Sequence, residues 1–438
     1  MGSYVPHTAE QRGQMLRTVG VDTLDGLYKA VPQQMLIGSD LNIPEGMSEL
    51  EVREKVTAMA EMNKVYKTVL RGSGAYRHFI PSVVKSVTSR EELVTCYTPY
   101  QAEISQGVLQ GVFEFQTMIC ELTGMDVSNA SHYDGGTAAA ETIPMCKDRK
   151  RTKAYVSATV HPQIFETIKT YCFASNTEIT VIPEKDGRTD AEALKAALGA
   201  DAACFIMQQP NYFGLMEDAA ALGEIVHADG AKFVMSINMT ASAIMKTPRE
   251  CGADIVVADG QPLGLDTAFG GPYLGIMATT SAMTRKLPGR IVGETKDVDG
   301  NRGYVLTLSA REQHIRREKA SSNICSNQAL CAFTAGVYMA AMGTEGMQQC
   351  ARLCLSKAHY LAAELEKAGL KLKYDGEFFH EFVTEIPDGE TRRRIAEALD
   401  AEGILSGAEL EDGILWCVTE LVSRETLDKV VSIVKEVL

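Results

Sequence analysis

Residues 254–278, DIVVADGQPLGLDTAFGGPYLGIMA, decide how this chain is read. They pattern as a buried strand, a polar loop at its carboxyl end (Gly260–Pro262), a Gly-Gly turn and a second strand. In parallel α/β sheets, ligands sit beyond the carboxyl ends of the strands, so this loop is where site chemistry is expected. It offers glycine, glutamine and proline, and no lysine occurs between Lys246 and Lys286.

Outward from that stretch, helix and strand alternate. AYVSAT (154–159), EITVIPE (178–184), ACFIMQQP (203–210) and KFVMSIN (232–238) pattern as strands. HPQIFETIKTYCF, AEALKAAL and DAAALGEIVHADG pattern as the helices between them. Short apolar runs alternating with such helices predict a mostly parallel sheet covered on both faces. That fold brings Asn238, Gly260–Pro262 and the Gln208–Tyr212 loop to one crevice. The turn DGGT (134–137) opens a further helix; it resembles a phosphate cup at a helix N-terminus, and helix capping accounts for it equally well.

On the amino-terminal side, Thr8-x-x-Gln11 and Ser48-x-x-Glu51 are capping boxes ahead of helically spaced apolar residues. Residues 1–65 therefore read as a helical arm, of the kind that wraps a neighbour. The loops RGSGAYRHFIPSVV and CYTPYQAEISQG follow, dense in glycine, tyrosine and polar groups, before a long helix from Ile104 to about Leu122. On the carboxyl side, IVGETKDVDGNRGYVLT predicts a hairpin with Asp299-Gly300 at its tip. REQHIRREKASSNICSNQAL is charged and polar, and two helices, 329–342 and 344–368, come after it. The remainder alternates HEFVTEI and ILWCVTE with helices, a small α/β domain. The expected organisation is an arm over 1–65, a large domain over 66–310, and connecting helices with the small domain over 311–438.

The chain has 438 residues and a formal net charge of −14, which argues against nucleic acid or an anionic membrane surface as main partner. Its 11 cysteines include no CxxC pair, and Cys350 and Cys354 lie one helical turn apart in an apolar pattern. Buried free thiols in a reducing compartment, without metal or disulfides, are the expectation. With no apolar signal core and no long apolar run, a cytoplasmic location is expected.

TPYQAEISQG (98–107), NASHYDGGTAAAE (129–141), PGRIVGET (288–295) and REQHIRREKASSNICSNQAL (311–330), together with GQPLG and FGGPYLG, carry a likeness nearly end to end. They resemble the first subunit, or amino-terminal half, of the glycine decarboxylase P-protein of the glycine cleavage system. The resemblance implies the fold of pyridoxal phosphate (PLP)-dependent transferases, aminotransferase fold type I. It also implies a hetero-oligomer with a homologous second subunit that holds PLP covalently. Together the two would decarboxylate glycine and pass the aminomethyl group to the lipoyl arm of H-protein.

PLP chemistry needs a lysine for the Schiff base and an acid opposite the pyridine nitrogen. In this chain Gln261 and Pro262 stand where the lysine loop should be, and Asn238 ends the strand that should supply the acid. His161, in the position of a ring-stacking residue, reads as structural. No residue of the chain is then expected to be catalytic by itself. Ser321, Ser322 and Asn323 offer hydroxyls and an amide for a phosphate; Arg311, His314, Arg316 and Arg317 offer positive charge for phosphate or a glycine carboxylate. Tyr97, Tyr100, Gln101 and Glu103 form the other loop expected to cross into a partner's site, and a salt-bridged interface helix is the competing reading of 311–330. Two other functions compete: a stand-alone PLP enzyme using Lys246, Lys286 or Lys319, and a purely structural or regulatory subunit.

Overall fold

The computed structural model describes residues 6–39, 41–320, 322–324 and 327–438. The chain divides into two units, Met1–Val65 and Tyr66–Leu438. In the first unit, α1 (Ala9–Val19) and α2 (Glu49–Glu61) both begin with reciprocal capping boxes, Thr8 with Gln11 and Ser48 with Glu51. Neither helix buries a residue; Val19, Val56 and Met59 stand more than half exposed.

The second unit is built on a seven-stranded sheet. Its strands are β1 (Val127–Ser128), β2 (Lys153–Ser157), β3 (Ile179–Ile182), β4 (Ala202–Gln209), β5 (Lys232–Asn238), β6 (Ile255–Asp259) and β7 (Gly275–Thr279). The order is β1-β7-β6-β5-β4-β2-β3. The five strands from β6 to β3 run parallel, and β7 is antiparallel to both β6 and β1. Continuous apolar runs are what a doubly covered sheet requires, because successive side chains point to opposite faces. Phe205, Met207, Phe233 and Met235 pack on one face; Cys204, Ile206 and Val234 pack on the other. The covering helices are α3 (Gln106–Thr123), α4 (Gly135–Cys146), α5 (Pro162–Ala174), α6 (Ala191–Ala197) and α7 (Ala219–Ala228).

The hairpin β8 (Val292–Lys296) and β9 (Arg302–Leu306) turns at Asp297–Asn301, as Asp299-Gly300 predicts. The expected pair of helices after residue 329 is present as the two halves of α8 (Ala329–Lys367), separated at Gly343, whose φ of 61° and ψ of 179° are not helical. Beyond it, β10 (Glu381–Glu385), β11 (Ala408–Leu410) and β12 (Gly413–Cys417) form an antiparallel sheet under α9 (Gly389–Ala401) and α10 (Arg424–Val437). This sheet has its own core, which includes Leu361, Phe382, Ile395, Trp416 and Leu427. Among the described residues no helix is long and apolar enough to cross a membrane.

Candidate functional site

A crevice of about 410 Å³ opens beyond the carboxyl ends of β4, β5 and β6. Asn238, Pro262, Gln208 and Pro210 line it, as the parallel-sheet argument predicts. Ser73, Tyr76, Asp134, Asp259, His161 and Glu381 are also among its walls, with His380. The loop containing Tyr76 was singled out in the sequence by its density of glycine and polar groups. His380 and Glu381 were not, because nothing in HEFVTEI distinguishes them from an ordinary strand start.

The expectation that Gln261 faces the crevice is corrected. Its side chain is 1% exposed and works as a staple. Oε1 accepts from the Tyr76 N–H at 2.8 Å, while Nε2 donates to the carbonyls of Tyr76 at 2.9 Å and Leu265 at 2.8 Å. An amide can both donate and accept, so glutamine joins two loops that a lysine could not join in this way. Pro262 alone of that pair faces the cavity.

The first turn of α4 was the possible phosphate cup. Its Gly135 N–H donates to Asp259 Oδ2 at 2.9 Å, and its Thr137 N–H donates to Asp134 Oδ1 at 2.7 Å. The other Asp259 oxygen accepts from the Gln261 N–H at 2.9 Å. The approach is close enough to require glycine: a Cβ on Gly135 would come within 2.9 Å of the Asp259 backbone nitrogen. Burial raises the Asp259 carboxyl to about 6, against the two N–H donors that lower it. The anion-binding end of the helix is thus filled by the protein's own carboxylates.

Nothing else in the crevice compensates. Among the described residues no lysine or arginine lines it, while Asp134, Asp259 and Glu381 do. Glu381 accepts from the Ser73 N–H at 2.7 Å and from the Tyr76 hydroxyl at 2.8 Å, and burial pushes it up to about 7. His161 Nε2 lies 2.9 Å from the Ser73 carbonyl and Nδ1 accepts from the Gln163 N–H at 3.1 Å, so the proton sits on Nε2. Burial lowers its pKa, which keeps the ring neutral. Asn238 Oδ1 accepts from the Ala241 N–H at 3.0 Å and caps the next turn. The crevice does not fit PLP: among the described residues no lysine lines it to offer an amine for the aldehyde, Asn238 is not an acid, and no cation faces a phosphate.

The remaining residues singled out from sequence lie elsewhere. Tyr100 donates to Asn327 Oδ1 at 2.6 Å, and the Arg290 guanidinium stands over its ring, 5.3 Å from the centroid. Arg290 also pairs with the buried carboxylate of Glu312, which His314 Nδ1 approaches at 3.6 Å. Arg311 donates to the Leu287 carbonyl and shares a small concavity with Glu312 and Ser322. Ser322 is engaged within the chain: its hydroxyl accepts from the Ile324 N–H at 3.1 Å and hydrogen-bonds the buried Glu141, whose carboxyl burial raises to about 7. Tyr97, Gln101, Glu103, Arg316, Arg317 and Asn323 are exposed, and Ser321 lies outside the described residues.

Among the described residues of 311–328 no long helix forms. The chain makes only short turns at Ser309–Arg311, Gln313–Arg316 and Arg317–Lys319. Arg317 itself has a φ of 53°, and left-handed backbone interrupts a right-handed helix. Arg290 Nε, Arg311 Nε and Nη2, Glu312 Oε1 and Asn327 Nδ2 are buried without a hydrogen-bond partner among the described residues.

Comparison with known proteins agrees along the whole chain. The family described as Glycine cleavage system P-protein matches residues 2–434. Proteins named probable glycine dehydrogenase (decarboxylating) subunit 1 are 46% identical in Desulfitobacterium hafniense, over 98% of both chains, and 46% identical in Moorella thermoacetica, over 100% of both. A crystal structure of glycine decarboxylase (P-protein) of the glycine cleavage system, in inhibitor-bound form, is 39% identical over 100% of both chains, with a TM-score of 0.92. A sphingosine-1-phosphate lyase from Burkholderia pseudomallei is 13% identical over 93% of this chain, with a TM-score of 0.65, and shares the fold.

Proposed function

Because the chain belongs to the glycine cleavage system P-protein family, we propose that it is the half of glycine decarboxylase that does not carry the Schiff base. In this reading a homologous second subunit holds PLP and performs the chemistry on glycine. The pair decarboxylates glycine and delivers the aminomethyl group to the lipoyl arm of H-protein. PLP, when bound on that partner, supplies the electron sink for losing CO₂.

One observation carries the assignment. The chain's own crevice presents carboxylates where a cofactor phosphate needs donors, and Asp259 occupies the helix N-terminus. A stand-alone enzyme using Lys246, Lys286 or Lys319 has no support, since all three are exposed and none lines the crevice.

What this chain contributes to the partner's site is a set of positioned donors. Arg290, Arg311 and Asn327 hold buried donors unsatisfied among the described residues, and buried polar groups are rarely left so. In the proposed role Arg311, His314, Arg316 and Arg317 supply positive charge for a phosphate or a glycine carboxylate. Ser321, Ser322 and Asn323, with Tyr97, Tyr100, Gln101 and Glu103, complete the loops that cross. Residues 1–65 serve as the arm that wraps the partner.

The test is co-expression with the second subunit, borohydride reduction, and mass spectrometry to locate the PLP. PLP is expected on the partner, and glycine–bicarbonate exchange is expected only with both subunits and H-protein present. PLP fixed to this chain overturns the assignment. Asn323→Ala and Arg316→Ala are expected to weaken PLP retention about tenfold with assembly intact; unchanged retention removes the crossing loops from the proposal.

A further inference from the structure

Cys350 and Cys354 lie four residues apart on α8, past the kink at Gly343, so both thiols leave the same face of the helix. Two distant segments converge on that face. His78 comes from the loop before the sheet, and Glu420 from the loop after β12. The four possible donor atoms, His78 Nδ1, the two Sγ atoms and a Glu420 carboxylate oxygen, all lie within 4.8 Å of one another. His78 Nδ1 is 2.8 Å from Glu420 Oε2 and 3.7 Å from Cys350 Sγ, and Cys354 Sγ is 3.3 Å from the same carboxylate oxygen. We propose that His78, Cys350, Cys354 and Glu420 are the four ligands of a thiophilic divalent cation, zinc before others.

Two features separate this cluster from a buried ion pair with thiols nearby. The first is size and ligand type. A tetrahedral zinc with bonds of about 2.0–2.3 Å holds its donor atoms roughly 3.3–3.8 Å apart, and two sulfurs, an imidazole and a carboxylate form a closed site of structural type. The donor atoms here are within reach of that spacing: the pair His78 Nδ1 and Glu420 Oε2, at 2.8 Å, must open by about half an ångström, and atoms as far as 4.8 Å apart must close by about one.

The second feature is the outer support. The far nitrogen of His78, Nε2, lies 3.3 Å from the Thr240 hydroxyl, and the far oxygen of Glu420, Oε1, accepts from the Phe79 N–H at 2.6 Å. The imidazole and the carboxylate are thus held from behind with their other donor atoms aimed at the cysteines, as metal-binding imidazoles and carboxylates are. Lys357, one turn beyond Cys354, donates to the Glu420 carbonyl at 2.5 Å and offsets the negative charge of two thiolates and a carboxylate around a dication. Binding displaces the two thiol protons and the Nδ1 proton of His78 to solvent, with no change of oxidation state. The ion would tie the long helix, the amino-terminal loop and the carboxyl-terminal sheet together.

The probes are Co²⁺ and Zn²⁺ added to the purified, reduced full-length chain. One Co²⁺ per chain is expected, with a thiolate-to-cobalt charge-transfer band in the near ultraviolet, bleached by Zn²⁺. Cys350→Ser/Cys354→Ser is expected to abolish the band and weaken binding at least a hundredfold, and Thr240→Val to weaken it ten- to a hundredfold. Cys120→Ser, outside the cluster, should change nothing. Alkylation mapped by mass spectrometry needs no variant: Zn²⁺ should protect Cys350 and Cys354 selectively when the chain is loosened with mild denaturant. No band at one equivalent of Co²⁺, a band that survives in the double variant, or equal alkylation with and without Zn²⁺ overturns the proposal.

Discussion

The backbone N–H of Gly135 donates to the carboxylate of Asp259 at 2.9 Å, so the helix end that could cradle an anionic ligand binds a side chain of the same protein. The contact fixes what the crevice can hold and makes Asp259 the most informative residue in it.

Asp259 is expected to leave a mark on stability against pH. Its pKa is raised from 3.8 to about 6, so the folded chain holds this proton more tightly than the unfolded chain. The group therefore favours the fold most below about pH 4, and that benefit is lost as pH rises through about 6. Asp259→Asn cannot ionise. Relative to the native chain it should gain about 2–3 kcal/mol between pH 4 and pH 7, over and above a constant offset for the altered hydrogen bonds. Glu141 and Glu381, also raised, titrate in both proteins and cancel. Parallel melting-temperature curves across that range would contradict the burial argument.

Restoring the missing groups alone should not restore the cofactor. Pro262→Lys with Asn238→Asp supplies an amine and an acid, yet leaves carboxylates facing the phosphate. Adding Asp259→Ser removes one of them, and a single like charge at short range outweighs the roughly 1.4 kcal/mol that separates tenfold affinities. The triple variant should bind PLP at least tenfold better than the double variant, read by absorbance titration. Equal affinities would mean that the carboxylate is irrelevant.

Gly214 and Gly300 form a matched pair. Their φ values are +85° and +84°, but a Cβ on Gly214 would lie 2.0 Å from the Glu381 carbonyl oxygen, while one on Gly300 meets nothing within 4 Å. Gly300→Ala should cost only the left-handed strain, about 1 kcal/mol. Gly214→Ala must also move the backbone of the crevice wall, and should cost at least about 2 kcal/mol more. Urea midpoints measure both, and similar losses would refute the packing argument.

Trp416, the only tryptophan, is fully buried and donates from Nε1 to Thr384 Oγ1 at 2.8 Å. Thr384→Val keeps the volume and removes the acceptor, so a buried N–H is stranded at a cost of about 1–3 kcal/mol. Tryptophan fluorescence reports the transition directly, and an unchanged midpoint would show that another acceptor takes over.

Much of this protein was set by local pattern. Apolar runs specify strands, capping boxes start α1 and α2, Asp299-Gly300 turns the hairpin, and Gly343 breaks α8 between the two expected helices. These are short-range effects, complete within a few residues, and so was the missing lysine at 260–262. The polar placements were not legible. Gln261 looked like a substituted active-site residue because its partners, Tyr76 and Leu265, could not be known from its neighbours. The short helical turn at Gln313–Arg316 ends at Arg317, whose left-handed backbone the charge pattern does not encode.

Residue identity at ordered positions was enough to specify the fold class and the family likeness, and to show that no lysine stands between Lys246 and Lys286. Only the tertiary structure decided that Asp259 fills the helix end, that Glu381 walls the crevice, and that His78 and Glu420 meet Cys350 and Cys354. Those contacts join residues separated by tens to hundreds of positions, and the spacing of residues along the chain carries no record of which ones the folded sheet will bring together.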